Sequence, residues 1–92
     1  MQTTRVSDPL AERFERIRRE RNQLERQIAL DDEEVIAVRR HIEKAETPHE
    51  RALLEARLDL LRGRLSFCHK SLIQLHGQYD TTRLAGLYAA SA

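Results

Sequence analysis

Residues 42–54 read IEKAETPHERALL, and the Thr47-Pro48 step within this stretch separates two long apolar patterns. Thr47 is a good helix N-cap, Pro48 is tolerated in a first helical turn, and Glu50 completes a T-x-x-E capping box. A residue that precedes proline is displaced from the α region, so the helix before it has to end near Glu46. The stretch therefore predicts one helix ending and another beginning within a few residues.

Apolar residues recur at alternating steps of four and three residues on both sides of this break. A period of about 3.5 residues is that of a coiled-coil seam, in which a helix presents one apolar stripe to its neighbour. The first seam contains Leu10, Phe14, Ile17, Arg21, Leu24, Ile28, Asp31, Val35, Val38, Ile42 and Ala45, and the second contains Leu54, Leu58, Leu61, Leu65, Cys68, Leu72, Leu75 and Tyr79. The pattern predicts an all-α fold of two long helices.

A very short connection between two long helices favours an antiparallel pairing. Folding the chain near residue 48 brings together flanking side chains of opposite charge, namely Asp32 with Arg62, Glu34 with Arg64, Arg39 with Glu55 and Glu25 with His69. Two other flanking pairs, Arg18 with His76 and His41 with Arg57, do not combine opposite charges. A parallel in-register homodimer would instead align like charges, such as Glu50 with Glu55. The charges therefore predict an antiparallel two-helix coiled-coil hairpin.

The domain boundaries follow from local signals. We expect a disordered N-terminus at 1–7, a hairpin at 8–80 with helices at about 8–46 and 48–78, and a short C-terminal tail at 81–92. The first helix begins at Ser7-Asp8-Pro9, which supplies a cap and a first-turn proline. Gly77 and the polar run Asp80-Thr81-Thr82 predict the end of the second helix.

One signal inside the first helix competes with its continuity. Residues 30–35 read LDDEEV, in which Asp31 and Glu34 form a possible internal capping box. The heptad phase does not slip across this stretch. We therefore favour a continuous helix over a new start at Asp31.

Composition and charge restrict the class of protein. Ninety-two residues allow one domain, and 34% charged with 4% aromatic residues suits long helices with solvated outer faces. A net charge of +1 gives no strong attraction to nucleic acid or to anionic lipid. Cys68 is the single cysteine and lies on a seam, as expected of a small apolar side chain in a reducing compartment. No segment resembles a membrane span or a signal peptide, so we expect a cytoplasmic protein without membrane contact.

A second apolar stripe lies outside the seam of the second helix. Leu53, Leu60 and Phe67 recur every seven residues, with Ala56 and Gly63 between them, and Leu30 and Ala37 form a similar stripe on the first helix. A two-helix hairpin alone buries little apolar surface, because chain entropy nearly cancels what one seam contributes. We expect this stripe, with Leu84, Leu87 and Tyr88 of the tail, to form a dimer interface or a partner-binding surface. A homodimer would then be a four-helix bundle.

Enzymatic chemistry has little support in the sequence. His69 and His76 share a helical face but lie seven residues apart, too far for one metal ion, and there is no Gly-rich phosphate loop. The serine nearest to a histidine, Ser71, lacks an orienting acid. We expect no catalytic residues, no metal site, no cofactor and no small-molecule substrate.

A nucleic-acid-binding function is the alternative that we keep. Glu15-Arg16-Ile17-Arg18-Arg19 resembles five residues of the basic region of basic helix-loop-helix transcription factors, which implies DNA contacts by Arg16, Arg18, Arg19 and Arg21. The histidine expected four residues before the glutamate is Ala11 here, and Ile17 lies on the seam. Phosphate binding requires a denser basic face. A salt-bridged exposed helix face is the simpler interpretation.

The acidic run Asp31-Asp32-Glu33-Glu34 is expected to pair with Arg62 and Arg64 across the hairpin, and docking of a basic protein is its alternative use. Taken together, the features favour a non-enzymatic protein-interaction module, such as a small adaptor, co-chaperone or inhibitor. Its expected partners are a second copy of the chain and an unidentified protein.

Overall fold

The computed structural model describes residues 8–91, and within them it contains two helices and no strand. Helix α1 spans Pro9–Glu43 and helix α2 spans Pro48–Ser91. They form an antiparallel hairpin of 67 × 34 × 14 Å. The predicted all-α hairpin is confirmed. The prediction of disorder at 1–7 falls outside the described residues, as does Ala92.

Both helix starts use the predicted caps. The Asp8 carboxylate accepts hydrogen bonds from the backbone N–H groups of Leu10 (3.0 Å) and Ala11 (3.3 Å). At α2 the Glu50 N–H donates to Thr47 Oγ1 at 3.1 Å. These bonds satisfy N–H groups that have no partner inside a helix.

The end of α1 differs from the prediction by three residues, because the helix stops at Glu43 and not at Glu46. Its last turn closes with hydrogen bonds that span three residues instead of four. They run from Lys44 N–H to the His41 carbonyl (3.1 Å) and from Ala45 N–H to the Ile42 carbonyl (3.2 Å). Such bonds satisfy terminal carbonyl groups before the chain turns.

Helix α1 is continuous through Asp31, as favoured from the heptad phase. The interior of the hairpin is best packed between Asp31 and the turn. Val38, Leu58 and Leu61 form a buried cluster there, and partly buried neighbours pack against it, namely Val35, Ile42 and Leu54. Folding the chain at about residue 48 predicts the same facing pairs: Ile42 with Leu54, Val38 with Leu58 and Val35 with Leu61.

The prediction that α2 ends near Gln78 is wrong, because the helix continues to Ser91. The hydroxyl groups of Thr81 and Thr82 donate to the carbonyls of Gly77 (3.0 Å) and Gln78 (2.8 Å), four residues earlier. Bonds of this kind let threonine fit within a helix. Gly77 has an ordinary helical backbone without a positive φ. The predicted tail is therefore the last part of α2.

The extended part of α2 pairs with the beginning of α1. The rings of Phe14 and Tyr79 lie 5.3 Å apart between centroids. Thr82 is buried on the same seam, and Gly86 lies so close to Leu10 that an added Cβ would be 2.9 Å from Leu10 Cδ2. The seam of α2 thus continues in phase through small residues, and the two helices stay paired to the open end of the hairpin.

Candidate interaction surface

A buried carboxylate lies at the middle of the hairpin. Asp31 occupies a seam position and is only 1% exposed. Arg64 binds it through two hydrogen bonds, Nε to Oδ2 at 2.8 Å and Nη2 to Oδ1 at 2.7 Å, and Gln27 Nε2 donates to Oδ1 at 2.9 Å. The Arg64 hydrogen bonds hold the pKa of Asp31 below its usual value, although burial acts in the opposite direction.

This pair constrains the register of the hairpin. A buried carboxylate that loses its partners costs free energy, whereas one held by a forked guanidinium is satisfied. Sliding α2 by one heptad in one direction would place Ser71 beside Asp31 and leave the charge unpaired. Sliding it in the other direction would place Arg57 there, but Glu50 would then replace Arg57 beside Glu34 and repel it. The seam supplies the apolar attraction, and we infer that the Asp31–Arg64 pair selects one alignment, as single polar seam residues do in coiled coils.

An ion-pair row extends from Asp31 toward the turn. Glu34 accepts a hydrogen bond from Arg57 Nε at 3.0 Å and also pairs with Arg57 Nη2, and Arg64 Nη2 lies 3.9 Å from its other oxygen. Sequence reasoning expected Arg62 and Arg64 as partners of the acidic run. Among residues 8–91 the pairing is made by Arg57 and Arg64, and no ion pair within 4.0 Å involves Arg62.

The reason for this difference is the geometry of the two helix flanks. Arg57 and Arg64 are seven residues apart and lie on one flank of α2, which faces the flank of α1 that contains Glu34. Arg62 lies on the other flank. Assigning every charged residue to one flank of its seam would have indicated Arg57 as a partner of Glu34. The hydrogen bond from Gln27 to Asp31 follows from the position of Gln27 four residues before Asp31.

The predicted outer stripe lies beside this ion-pair row. Leu53, Leu60 and Phe67 are 61%, 61% and 68% exposed. Leu60 follows Arg57 by three residues and precedes Arg64 by four, so these side chains share one side of α2. The stripe is therefore a solvent-exposed apolar surface on the face that contains the Glu34 ion pairs.

The same face continues onto α1. Leu30 precedes Glu34 by four residues and Ala37 follows it by three, so both lie on the Glu34 flank of α1. Leu30 is 56% exposed and Ala37 is exposed as well. Apolar residues of both helices thus border a central row of paired charges. We call this set the ladder face: Leu30, Glu34, Ala37, Leu53, Arg57, Leu60, Arg64 and Phe67.

The three residues predicted in a tail lie on the last turns of α2. Leu84, Leu87 and Tyr88 have exposed side chains. Tyr88 keeps the seven-residue spacing of the outer stripe, but Gln74 and Thr81 interrupt the stripe between Phe67 and Tyr88. Leu84 and Leu87 do not keep that spacing. The structure thus separates these residues from the continuous part of the stripe.

The four arginines proposed for nucleic-acid contact do not share one face. Arg16 lines a groove with Arg13, Gln74 and Thr81, whereas Arg18 and Arg21 line a groove on the Phe14–Tyr79 side. Arg18 also pairs with Glu15, three residues earlier, and this pairing raises the pKa of Arg18. A phosphate backbone requires cations along one surface. The arrangement separates Arg16 from Arg18 and Arg21.

A shallow groove of about 420 Å³ lies at the open half of the hairpin, bordered by Ile17, Arg21, Glu25, Leu72, Leu75, His76 and Tyr79. It exists because Arg21 occupies a seam position and has an exposed side chain, leaving the seam incompletely filled. Its titratable groups are Arg21, Glu25, His76 and Tyr79, and all four side chains are exposed.

Metal and thiol chemistry find no assembled site in the described part of the chain. Within residues 8–91 no cluster of three or more His, Cys, Asp or Glu side chains has metal-binding geometry. Cys68 is a free thiol buried in the seam, where it packs as a small apolar group. No helix in this part of the chain is long and apolar enough to cross a membrane.

Comparison with known proteins does not assign a family. No protein-family model, no curated protein and no solved structure matches this chain.

Proposed function

We propose that this chain is a cytoplasmic, non-enzymatic protein-interaction module. It acts as an adaptor, co-chaperone or inhibitor and binds its partner by helix packing. The ladder face is its contact surface, and the first partner of that face is a second copy of the hairpin. Two hairpins stacked in this way form a four-helix bundle.

The observation that supports this proposal is the continuous exposed apolar stripe of Leu53, Leu60 and Phe67 with Leu30 beside it. Single exposed leucines are ordinary, but aligned large apolar residues on a regular helix face are typical of contact surfaces. The charges between the two rows are already paired within the hairpin, Glu34 with Arg57 and Arg64 with Asp31, so covering the face leaves none of them without a partner.

The thin interior of the hairpin gives a second reason. Six apolar side chains are buried in the described chain: Ile17, Val38, Leu58, Leu61, Cys68 and Leu75. Helices of 35 and 44 residues have to be ordered by this small core. Ordering costs about 1.5 kcal/mol per residue, so a lone seam leaves little net stability. Covering the ladder face would add apolar burial to the little that the seam supplies.

The test is the double variant Leu60→Glu with Phe67→Glu, examined by sedimentation equilibrium. We expect the unchanged chain to be a dimer at micromolar concentration and the variant to be a monomer that remains helical by circular dichroism. Ile73→Glu is the matched control. Ile73 is 73% exposed and lies nine residues from Arg64, two and a half turns away on the opposite side of α2. A double variant with unchanged mass would contradict the proposed surface.

A further inference from the structure

We propose that two copies of this hairpin pack through their ladder faces with their turns at opposite ends, about a two-fold axis that passes between Leu60 and Ala37. This inference rests on the proposed function and specifies the arrangement of the dimer. In it, α2 packs antiparallel on the partner's α2, and α1 packs antiparallel on the partner's α1.

The first argument is the symmetry of the outer stripe on α2. Leu53 and Phe67 lie seven residues before and after Leu60, and all three are large and exposed. The small residues Ala56 and Gly63 lie four before and three after it. An interface between identical chains about a two-fold axis has to be complementary to itself. An antiparallel pairing centred on Leu60 meets this condition, since Leu53 faces the partner's Phe67.

The glycine in this stripe is consistent with a close approach. An added Cβ at Gly63 would meet nothing within 4 Å in the hairpin itself, so the interior of the hairpin does not require glycine there. Glycine in a helix costs about 1 kcal/mol relative to alanine. In the proposed dimer Gly63 faces the partner's Ala56, and two small residues let the α2 helices pack closely.

The second argument is the pattern on α1 at the same level. The contact of Leu10 with Gly86 and the Asp31–Arg64 pair define the register, which places Ala37 about level with Leu60. The axis that centres α2 on Leu60 therefore centres α1 on Ala37. The middle layer of the bundle then contains two leucines and two alanines, which combines large with small side chains.

Charges on the outer edge of α1 agree with this axis. Glu33 precedes Ala37 by four residues and Arg40 follows it by three, and both are exposed. Antiparallel packing about Ala37 places Glu33 against the partner's Arg40, and the symmetry repeats the attraction. Within the ladder face, Glu34 lies close to the partner's His41. Arg57 approaches the partner's Arg64, which is a repulsive pair, but each of these arginines already has a carboxylate of its own chain.

The competing arrangement has both turns at the same end and stacks α1 on the partner's α2. In that geometry the outer edge places Arg26 against the partner's Lys70, which is repulsive. Glu33 would face the uncharged Gly63 and lose its partner. Opposite signs at the edge set orientation even where each pair contributes little energy. The charges of the outer edge therefore favour the arrangement with opposite ends.

Cysteine cross-linking distinguishes the two arrangements. In a Cys68→Val background, which removes the native thiol, Leu60→Cys lies on the proposed axis and should form a covalent dimer with itself under mild oxidation. A mixture of Leu53→Cys and Phe67→Cys chains should cross-link more than either chain alone. Ile73→Cys, on the opposite side of α2, is the control and should stay uncross-linked.

A charge exchange gives an independent readout. Glu33→Arg should weaken dimerisation about tenfold, because an arginine then faces the partner's Arg40 at two symmetric places. Combining it with Arg40→Glu should restore the original dissociation constant. In the competing arrangement neither change has this effect, since the two α1 helices lie diagonally opposite.

The outcomes separate the two levels of proposal. Self-cross-linking at Leu60→Cys with rescue by the charge exchange supports both. A stable dimer in which Leu60→Cys cross-links only to Ala37→Cys chains overturns this arrangement and leaves the proposed dimer in place. A monomer by sedimentation, or a dimer whose mass is insensitive to Leu60→Glu with Phe67→Glu, overturns both.

Discussion

The two halves of the hairpin differ in how completely their shared seam is filled. From Asp31 to the turn, apolar side chains alternate without a gap around Leu61, which is fully buried. From Ile28 to the open end, Arg21 interrupts the seam and leaves a groove, and small residues such as Thr82 and Gly86 replace large ones. The same heptad period thus yields a compact half and a loosely packed half, separated by the Asp31–Arg64 pair.

Truncation of the same residue type in each half is the strongest way to test this difference. We expect Leu61→Ala to lower the free energy of unfolding by about 4 kcal/mol, since the side chain has neighbours on all sides and its removal leaves a cavity. Leu75 borders the existing groove, so Leu75→Ala should lower the free energy of unfolding by only about 2 kcal/mol. Urea unfolding at one fixed chain concentration measures both, because self-association also shifts stability. Equal losses would show that the two halves are equally packed.

Asp31 sharpens the boundary between the halves. Asp31→Ala should lower the free energy of unfolding by about 2 kcal/mol. This loss is smaller than for a fully buried ion pair, because the Arg64 side chain is partly exposed and is solvated once Asp31 is removed. Asp31→Leu should stay within about 1 kcal/mol of the native chain, since leucine extends the apolar seam. The loss of register selection in Asp31→Leu should appear as more than one set of backbone amide resonances in solution NMR. Greater destabilisation by leucine than by alanine would contradict the role assigned to this position.

The same residue gives a pH dependence with a definite sign. The folded chain holds the pKa of Asp31 below its ordinary value of 3.8. Its stabilising contribution is therefore complete above that value and is lost as the pH falls through the lower, folded pKa. Asp31→Asn should flatten the decline in melting temperature below pH 4, while Asp59→Asn, at an exposed position, should leave it unchanged.

Filling the groove should remove part of the difference between the halves. Arg21→Leu places an apolar side chain at a seam position opposite Leu75 and should raise the free energy of unfolding by about 1 kcal/mol. Arg19→Leu, two residues earlier on the exposed surface, is the matched control and should change it by less than about 0.5 kcal/mol. If the two variants behave alike in urea unfolding, the groove does not arise from Arg21.

The smallest expected effect concerns the glycines of α2. An added Cβ at Gly77 would meet nothing within 4 Å, so Gly77→Ala should stabilise the chain by about 0.8 kcal/mol through helix propensity. Gly86→Ala gains the same propensity, but its Cβ would press on the end of Leu10 at 2.9 Å, so its net gain should be smaller. Thermal melts of the two variants test whether the helices stay paired at the open end. Equal gains would mean that Leu10 and Gly86 do not touch in solution.

The failed prediction at the end of α2 shows the limit of local signals. Gly77 and the run Asp80-Thr81-Thr82 are weak helix formers, each disfavoured by less than about 1 kcal/mol. The ring contact between Phe14 and Tyr79 and the close packing of Leu10 on Gly86 lie along the extension and favour a continued helix. The clue in the sequence was the unbroken phase of Thr82, Gly86 and Ala89, whose small side chains do not stand out as apolar.

The ladder face was only partly predictable for a related reason. The exposed stripe on α2 follows from periodicity, because a seven-residue spacing assigns Leu53, Leu60 and Phe67 to one side of a helix. Which charged groups lie beside it depends on the rotation of two helices about their axes. That rotation placed Arg57 in contact with Glu34, for which the sequence suggested Arg64.

By itself the sequence determined the helical hairpin and its turn, because a capping box, a proline and a 3.5-residue apolar period act on neighbouring residues and need no distant partner. Only the tertiary structure decided the true length of α2, the partners of Asp31, and the alignment of apolar rows from both helices on one face. These depend on contacts between residues far apart in the chain, where small packing energies add and outweigh weak local preferences.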